Sequence, residues 1–196
     1  MVGGEVTGSV DARLEALQRE IEAARRELVL LLKERARGPV DDAVLAGPGG
    51  PVRLSELFGE HQELIVSFNM GRQCRYCSLW ADAANGVLRH IEQQAAFVVV
   101  SPDPVDVQAQ VALERGWRFR MVSHRGTTFA RDMGFAVLAD GEERWWPGLA
   151  TFRRVSTGSG IERVGADVYG PGDPYCSVYH MFALLDSGGE EFVPQL

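Results

Sequence analysis

An apolar run is followed by a pair of closely spaced cysteines in the stretch Leu64-Ile65-Val66-Ser67-Phe68-Asn69-Met70-Gly71-Arg72-Gln73-Cys74-Arg75-Tyr76-Cys77. The run from Leu64 to Phe68 predicts a buried strand. A helix is predicted from Cys74 to about Gln94, because apolar residues recur there at helical spacing: Cys77, Trp80, Ala81, Ala84, Leu88 and Ile91. The two cysteines are therefore expected at the junction between a strand and a helix.

That junction suits thiol chemistry. A cysteine at a helix N-terminus faces unpaired backbone N–H groups and the positive end of the helix dipole, which stabilise a thiolate. Arg72 and Arg75 flank Cys74 and favour the same charged form. We expect Cys74 to be exposed and to attack a substrate disulfide. Cys77, on the apolar face beside Trp80, would then resolve the mixed disulfide.

The segments that follow predict a mixed α/β sheet. Ala96 to Val100 is β-branched and continuous, as buried parallel strands are, and a helix is expected over residues 105–115. Strand–helix–strand–helix order predicts a right-handed βαβ unit. The second half is more hairpin-like, with strands at 135–138, 149–155 and 161–164 and turns at Asp140-Gly141 and from Ser156 to Gly160.

Shorter elements are expected around these strands. They are a loop or short hairpin between Gly38 and Pro51, a helical turn at Ser55 to Phe58, an extended segment at Phe119 to Val122, and a brief helix capped by Thr127 or Thr128 that ends near Gly134.

Residues 11–37 predict a long amphipathic helix. Leu14, Leu17, Ile21, Ala24 and Leu28 follow three- and four-residue spacing, with acids and bases on the other face. This helix could pack on the domain or pair with a second copy in a homodimer. Packing on the domain is the favoured expectation, because sustained coiled coils need more clean heptads. We therefore divide the chain into a helical extension, 1–37, and one domain, 38–196.

Composition limits the classes of partner. The chain has 196 residues, 45% of them hydrophobic, and a net charge of -7, which argues against nucleic-acid or anionic-membrane partners. Neither a signal peptide nor a membrane-length apolar run is visible, so a cytoplasmic location is expected. Three cysteines are too few for a secreted disulfide framework, and a close pair in a reducing compartment indicates catalysis or metal binding.

Several motifs give the chain a family resemblance. They are Leu54-Ser55-Glu56-Leu57-Phe58, Met70-Gly71 leading into Cys74-Arg75-Tyr76-Cys77-Ser78-Leu79-Trp80-Ala81-Asp82, Asn85-Gly86, Ser101-Pro102, Gly116-Trp117-Arg118-Phe119, Asp132-Met133-Gly134 and Gly170-Pro171-Gly172-Asp173. From about residue 27 onward the sequence resembles a bacterial thioredoxin-like family of unknown function, described as predicted dithiol–disulfide oxidoreductases. The resemblance implies a three-layer α/β/α thioredoxin-like domain and a redox role for Cys74 and Cys77. No organic cofactor is expected, and the expected partners are a protein or small-molecule disulfide and a thiol electron donor.

The sequence departs from two related groups. Thioredoxins have Gly-Pro between the cysteines and a cis-proline immediately before the strand that faces them. Here the insert is Arg75-Tyr76, the facing strand is predicted at Ala150-Thr151-Phe152, and Pro147 falls a few residues early. Peroxiredoxins have a Pro and a Thr at the spacings that Ser67 and Gly71 occupy before Cys74. Efficient peroxide reduction is therefore not expected.

A metal site is the alternative use of the cysteines. Cys176 and His180, together with Cys74 and Cys77, would complete a tetrahedral zinc site in a non-redox binding or structural module. Base rates favour a buried Cys176 and a surface or hydrogen-bonded His180. The metal-binding interpretation stays open at this point.

The remaining candidates are binding residues. Arg72, Arg75, Tyr76, Trp80 and Trp146 are candidates for contact with a substrate or partner, with core packing the alternative for one residue of the Trp145-Trp146 pair. Structural roles are favoured for the histidines and acids elsewhere in the chain: His90, His124, Asp82 and Asp132.

Overall fold

A curled mixed sheet of eight strands forms the centre of the protein, in the order β1-β10-β9-β4-β5-β6-β2-β3. The computed structural model describes residues 3–155, 160–189 and 191–196, with side chains from residue 8 onward. The strands are β1 Gly38–Val40, β2 Val44–Gly47, β3 Gly50–Arg53, β4 Glu63–Phe68, β5 Ala96–Ser101, β6 Arg120–Ser123, β7 Ala136–Ala139, β8 Glu142–Trp145, β9 Gly148–Arg154 and β10 Ile161–Val168. The helices are α1 Gly3–Ala36, α2 Arg75–Ile91, α3 Val105–Arg115, α4 Phe129–Asp132 and α5 Val178–Phe182, with a 3₁₀ turn at Leu54–Phe58.

The predicted βαβ unit is confirmed. Strands β4, β5 and β6 are parallel neighbours, and helices α2 and α3 connect them. Strand β9 then pairs antiparallel with both β4 and β10, so the sheet is mixed as expected. The edge strands, β1 and β3, are three and four residues long and contain Pro39 and Pro51.

Alternation along β4 and β5 places apolar side chains on both faces of the sheet. Leu64, Val66 and Phe68 join a core with the 3₁₀ turn and α4 on one face. Phe97 and Val99 pack with residues of α2 and α3 on the other. The sheet is therefore covered on both sides in the region where the cysteines lie.

Helix α1 differs from its prediction. It begins at Gly3 and ends at Ala36, so it is 34 residues long. Among the described residues, its contacts with the domain are confined to its C-terminal end, where the Arg163 side chain donates from Nε to the Ala36 carbonyl oxygen at 2.6 Å. From residue 8 to residue 35, only Ala16 and Leu32 are as much as half buried. The expectation that this helix packs on the domain is therefore wrong for most of its length.

Several further elements differ from their predictions or have no predicted counterpart. The strand expected at 135–138 lies at 136–139, where it pairs with β8 in a separate two-stranded sheet. Strand β8 was not predicted because its residues are mostly polar; their side chains alternate between exposed and half buried. Strand β10, expected at 161–164, extends to Val168, with a register shift between Arg163 and Gly165. Helix α5 was not predicted, and the turn expected from Ser156 to Gly160 lies mostly outside the described residues.

Among the helices that the structure describes, none is long and apolar enough to cross a membrane.

Candidate dithiol site

Cys74 and Cys77 lie at the N-terminus of α2, with their sulfur atoms in bonding contact. Their Cα atoms are 5.2 Å apart, a normal separation for a disulfide. Cys74 is half exposed, whereas Cys77 is 2% exposed. This is the asymmetry that the sequence predicts, with an accessible first cysteine and a buried second one.

Backbone N–H groups face both sulfur atoms. Cys74 is the N-cap residue of α2, and its Sγ accepts a hydrogen bond from the Cys77 N–H at 3.1 Å. The Cys77 Sγ accepts from the Met70 N–H at 3.4 Å. A sulfur that accepts an N–H at a helix N-terminus is stabilised as the thiolate. Each sulfur atom thus has a backbone N–H donor within hydrogen-bond distance.

The loop before Cys74 is fixed by the side chains of two residues that follow neighbouring parallel strands. The Gly71 N–H donates to the Asn69 Oδ1 at 2.8 Å, and the Arg72 N–H donates to the Asp103 Oδ2 at 2.7 Å. Gly71 adopts φ +101, a conformation that residues with a Cβ rarely adopt. Asp103 follows β5, whose carboxyl end meets that of β4 at the same edge of the sheet.

An aromatic stack supports the second turn of α2. Trp80, one turn after Cys77, packs against Tyr169 with ring centroids 5.2 Å apart and planes 16° apart. The Tyr169 hydroxyl lies 3.1 Å from the Ser67 Oγ. Burial raises the pKa of Tyr169, so its hydroxyl stays protonated at neutral pH. The Trp80 Nε1 is buried and has no hydrogen-bond partner among the described residues.

The two arginines have different surroundings. Arg72 extends toward α3, where its guanidinium donates to the Gln110 Oε1 at 3.2 Å and lies 3.5 Å from the Glu114 Oε2. Its charge is therefore shared with an acid and is not directed at Cys74 alone. Arg75, inside the dithiol insert, is exposed.

Tyr76 borders a groove beside the dithiol. The groove has a volume of about 380 Å³ and is lined by Tyr76, Pro171, Tyr179, Phe192 and three small residues of the C-terminal segment. Trp146 is 42% exposed and lies just before β9, whose first residue, Gly148, pairs with Phe68. Because β9 begins at Gly148, Pro147 immediately precedes the facing strand, although no cis peptide bond occurs among the described residues.

The four candidate metal ligands do not converge. Cys176 is buried, and burial raises the pKa of its thiol. His180 is exposed, and its Nε2 lies 3.0 Å from the Asp173 carbonyl oxygen. Among the described residues, no three His, Cys, Asp or Glu side chains are grouped so that they could hold a metal ion.

The other histidines and acids have structural surroundings. His124 is buried, and desolvation lowers its pKa, so it is neutral near pH 7. Asp82 accepts from the Trp117 Nε1 at 2.6 Å and from the Arg115 guanidinium at 2.9 Å, which ties α2 to the end of α3. Asp132 accepts from the Thr128 hydroxyl, and His90 lies on the exposed side of α2.

Three residues of the site were not predicted. Asn69 and Asp103 fix the loop, and Tyr169 supports Trp80. The role of Asp103 could have been predicted from the sequence, because a polar residue that follows the second of two parallel strands lies beside the end of the first. Tyr169 is about 90 residues from Trp80 in the sequence, and no local pattern connects them.

Comparisons with known structures define the class of fold. Peroxidoxin BcpB from Mycobacterium tuberculosis is 22% identical, with a TM-score of 0.56 over 68% of this chain and 84% of that chain. A cysteine-to-serine mutant of PrxQ from Xylella fastidiosa is 17% identical, with a TM-score of 0.55 over 67% and 83%. Reduced Prx3 from Vibrio vulnificus is 13% identical, with a TM-score of 0.55 over 69% and 87%. The protein thus has a thioredoxin fold of the kind found in peroxiredoxins, which confirms the predicted fold class.

The family is also defined. The chain belongs to the family described as bacterial protein of unknown function (DUF899), whose model matches residues 6–196. This confirms the resemblance noted from the sequence motifs. None of the curated proteins matches the sequence.

Proposed function

We propose that the protein is a thiol–disulfide oxidoreductase in which Cys74 is the nucleophile and Cys77 the resolving cysteine. The observation that carries this proposal is the arrangement of the pair at the N-terminus of α2. Cys74 is half exposed, and its Sγ accepts a hydrogen bond from the Cys77 N–H. Cys77 is 2% exposed, and its sulfur atom is in bonding contact with the Cys74 Sγ. An incoming disulfide can reach the first sulfur and not the second.

The exchange transfers two electrons in two steps. The Cys74 thiolate attacks one sulfur of the substrate disulfide, which forms a mixed disulfide and releases the other sulfur as a thiolate. The Cys77 thiolate, formed by loss of its proton to water or to the released thiolate, then attacks the Cys74 Sγ. The substrate leaves as a second thiol, and the dithiol becomes the Cys74–Cys77 disulfide. A thiol electron donor returns it to the reduced form by the reverse exchange.

The groove beside Tyr76 is a suitable place for the substrate. It lies next to the insert between the cysteines, and aromatic side chains line it from both the helix and the C-terminal segment. A peptide or small disulfide with apolar groups beside its sulfur atoms would bury them there. Arg75, inside the dithiol insert, and Trp146, just before β9, are exposed and are proposed as further contacts.

Two observations argue against a peroxidase with the peroxiredoxin arrangement. At the position of the peroxiredoxin Thr, Gly71 has φ +101, and an added Cβ would lie 2.9 Å from the Asp103 Oδ1. At the position of the Pro, the Ser67 hydroxyl is engaged with Tyr169. A threonine hydroxyl cannot be placed beside Cys74 without rebuilding the loop.

Single-cysteine variants test the assignment of roles. Reduced Cys77→Ser, mixed with an aromatic disulfide such as 5,5′-dithiobis(2-nitrobenzoate), should retain a stable mixed disulfide on Cys74. Cys74→Ser should react much more slowly, because Cys77 is buried. Cys176→Ser is the matched control, since Cys176 is buried outside the pair, and it should cycle like the wild type. Peptide mass mapping identifies the modified residue.

Two results would overturn the proposal. One is faster attack by Cys77 than by Cys74. The other is protection of both cysteines from alkylation only while zinc is bound, with no two-electron transition in metal-free protein. The second result would favour the zinc-binding alternative.

A further inference from the structure

We infer that α1 pairs with the α1 of a second copy as a parallel two-stranded coiled coil, which makes the protein a homodimer. The helix is about 51 Å long at 1.5 Å per residue, and in the part of the chain that the structure describes its contacts with the domain are confined to its last turns. Isolated helices gain little stability from propensity alone and normally depend on packing of an apolar face. A single exposed helix of this length therefore requires a partner surface.

The apolar face has the spacing of a coiled-coil seam. Its residues alternate steps of four and three over three heptads: Val10, Leu14, Leu17, Ile21, Ala24, Leu28 and Leu31. The six large side chains of this seam are between 36% and 54% exposed. In heptad terms Leu14, Ile21 and Leu28 occupy the a positions, and the others occupy the d positions. Three heptads with apolar a and d positions are the shortest run that indicates helix pairing, and the exposure of this face in the structure supplies the evidence that the spacing alone did not.

The seam does not compete with the contact to the domain. At 100° per residue, Val29, Leu32 and Ala36 are centred roughly 80° around the helix from the seam. These residues lie on the side that borders the sheet, where Val29 and Leu32 line a cavity with residues of β10. Leu28 and Leu31 remain about half exposed at the same level of the helix. The helix can thus hold the domain with one face and a second helix with another.

One charge pair favours the parallel orientation of the second copy. In a parallel pair, Glu20 at a g position faces Arg25 of the second copy at the following e position, and symmetry produces this attraction twice. Both residues are exposed. Positions away from the seam are occupied by ion pairs within the helix, Glu15 with Arg19 at 3.8 Å and Glu22 with Arg26 at 3.9 Å. The outer face is therefore adapted to water.

The area available is sufficient for a dimer. Six large apolar side chains, each a third to a half exposed, present roughly 500 Å² per chain, or about 1,000 Å² per pair before the flanking positions are counted. Specific interfaces begin at about this size. The pairing does not involve the dithiol, so it can be tested independently of the proposed redox function.

Sedimentation equilibrium of the full chain over a concentration series, with reductant present to exclude interchain disulfides, tests the pairing. The wild type should be a dimer. Ile21→Glu, which places two like charges opposite each other in the seam, should raise the dissociation constant at least about 100-fold. Leu30→Glu is the matched control: Leu30 is 67% exposed and lies off the seam, so this variant should remain dimeric.

Orientation is tested by exchanging the charges. Glu20→Arg should weaken the dimer, and the double variant Glu20→Arg with Arg25→Glu should restore it, because the parallel pair is then rebuilt with signs reversed. A wild type that stays monomeric throughout the series, or equal weakening by Ile21→Glu and Leu30→Glu, would overturn the pairing. Failure of the double variant to recover would overturn the parallel orientation.

Discussion

Replacement of Gly71 by alanine should destabilise the protein through the loop that carries Cys74. Gly71 has φ +101, and a Cβ built on it would lie 2.9 Å from the Asp103 Oδ1 and 3.1 Å from the Oδ2. Asp103 cannot move away without cost, because its Oδ2 accepts the Arg72 N–H at 2.7 Å. The added methyl group therefore disturbs both the backbone conformation and this hydrogen bond.

The two costs can be estimated separately. A residue with a Cβ in the left-handed region loses about 1–2 kcal/mol relative to glycine. Loss of a hydrogen bond to a charged group costs about 1.5–3 kcal/mol, part of which water recovers at this half-exposed loop. Together they predict a loss of about 2–4 kcal/mol in the free energy of unfolding. For a chain of this size, the melting temperature should fall by roughly 5–15 °C.

Urea unfolding of the oxidised protein, followed by circular dichroism, measures this loss. Gly86→Ala is the matched control, because Gly86 lies inside α2 and an added Cβ meets nothing within 4 Å. That control should gain about 0.5–1 kcal/mol, the usual difference between alanine and glycine in a helix. If Gly71→Ala changed the free energy of unfolding by less than about 0.5 kcal/mol, the argument from strain and close contact would be refuted.

Two further predictions concern stability. Asp82→Ala should lower the free energy of unfolding by about 1–3 kcal/mol, because the Nε1 of Trp117 loses its acceptor. Asp82→Asn keeps an oxygen acceptor and should lose less in thermal unfolding; equal losses would contradict this account. Desolvation lowers the pKa of His124 below 6.5, against smaller opposing effects from its backbone hydrogen bond, Glu143 and Asp103. The unfolded chain therefore binds a proton first, and the free energy of unfolding should fall as pH drops below 6.5. His124→Asn should flatten this dependence in urea titrations at stepped pH, and an unchanged slope would disprove the assignment.

The sequence predicts the central part of the fold well, because there the local patterns and the packing agree. Leu64 to Phe68 and Ala96 to Val100 are continuous apolar runs, and each lies in a parallel strand of the structure. The helix expected at 105–115 has those bounds, and Cys74 lies at the N-terminus of α2 as its position after a strand indicates.

The remainder depends on long-range contacts that no local pattern reveals. Strand β8 is polar because it lies at the surface, where β7 is its single partner among the described strands. Tyr169 follows β10 and packs against Trp80 of α2, a contact that depends on the order of the strands in the sheet. Asp103 acts on the loop before Cys74 only because β4 and β5 end at the same edge. The roles of these residues follow from topology rather than from spacing.

The two edges of the main sheet have a consequence for how molecules of this protein can associate. A long unpaired edge strand offers a row of N–H and C=O groups on which another chain can add a strand and begin to aggregate. Here the edges are only three and four residues long, and Pro39 and Pro51 each remove one N–H donor. Growth of the main sheet from one molecule into the next is thereby disfavoured at both ends. Strand addition to the main sheet is therefore an unfavourable route for association between copies of this protein.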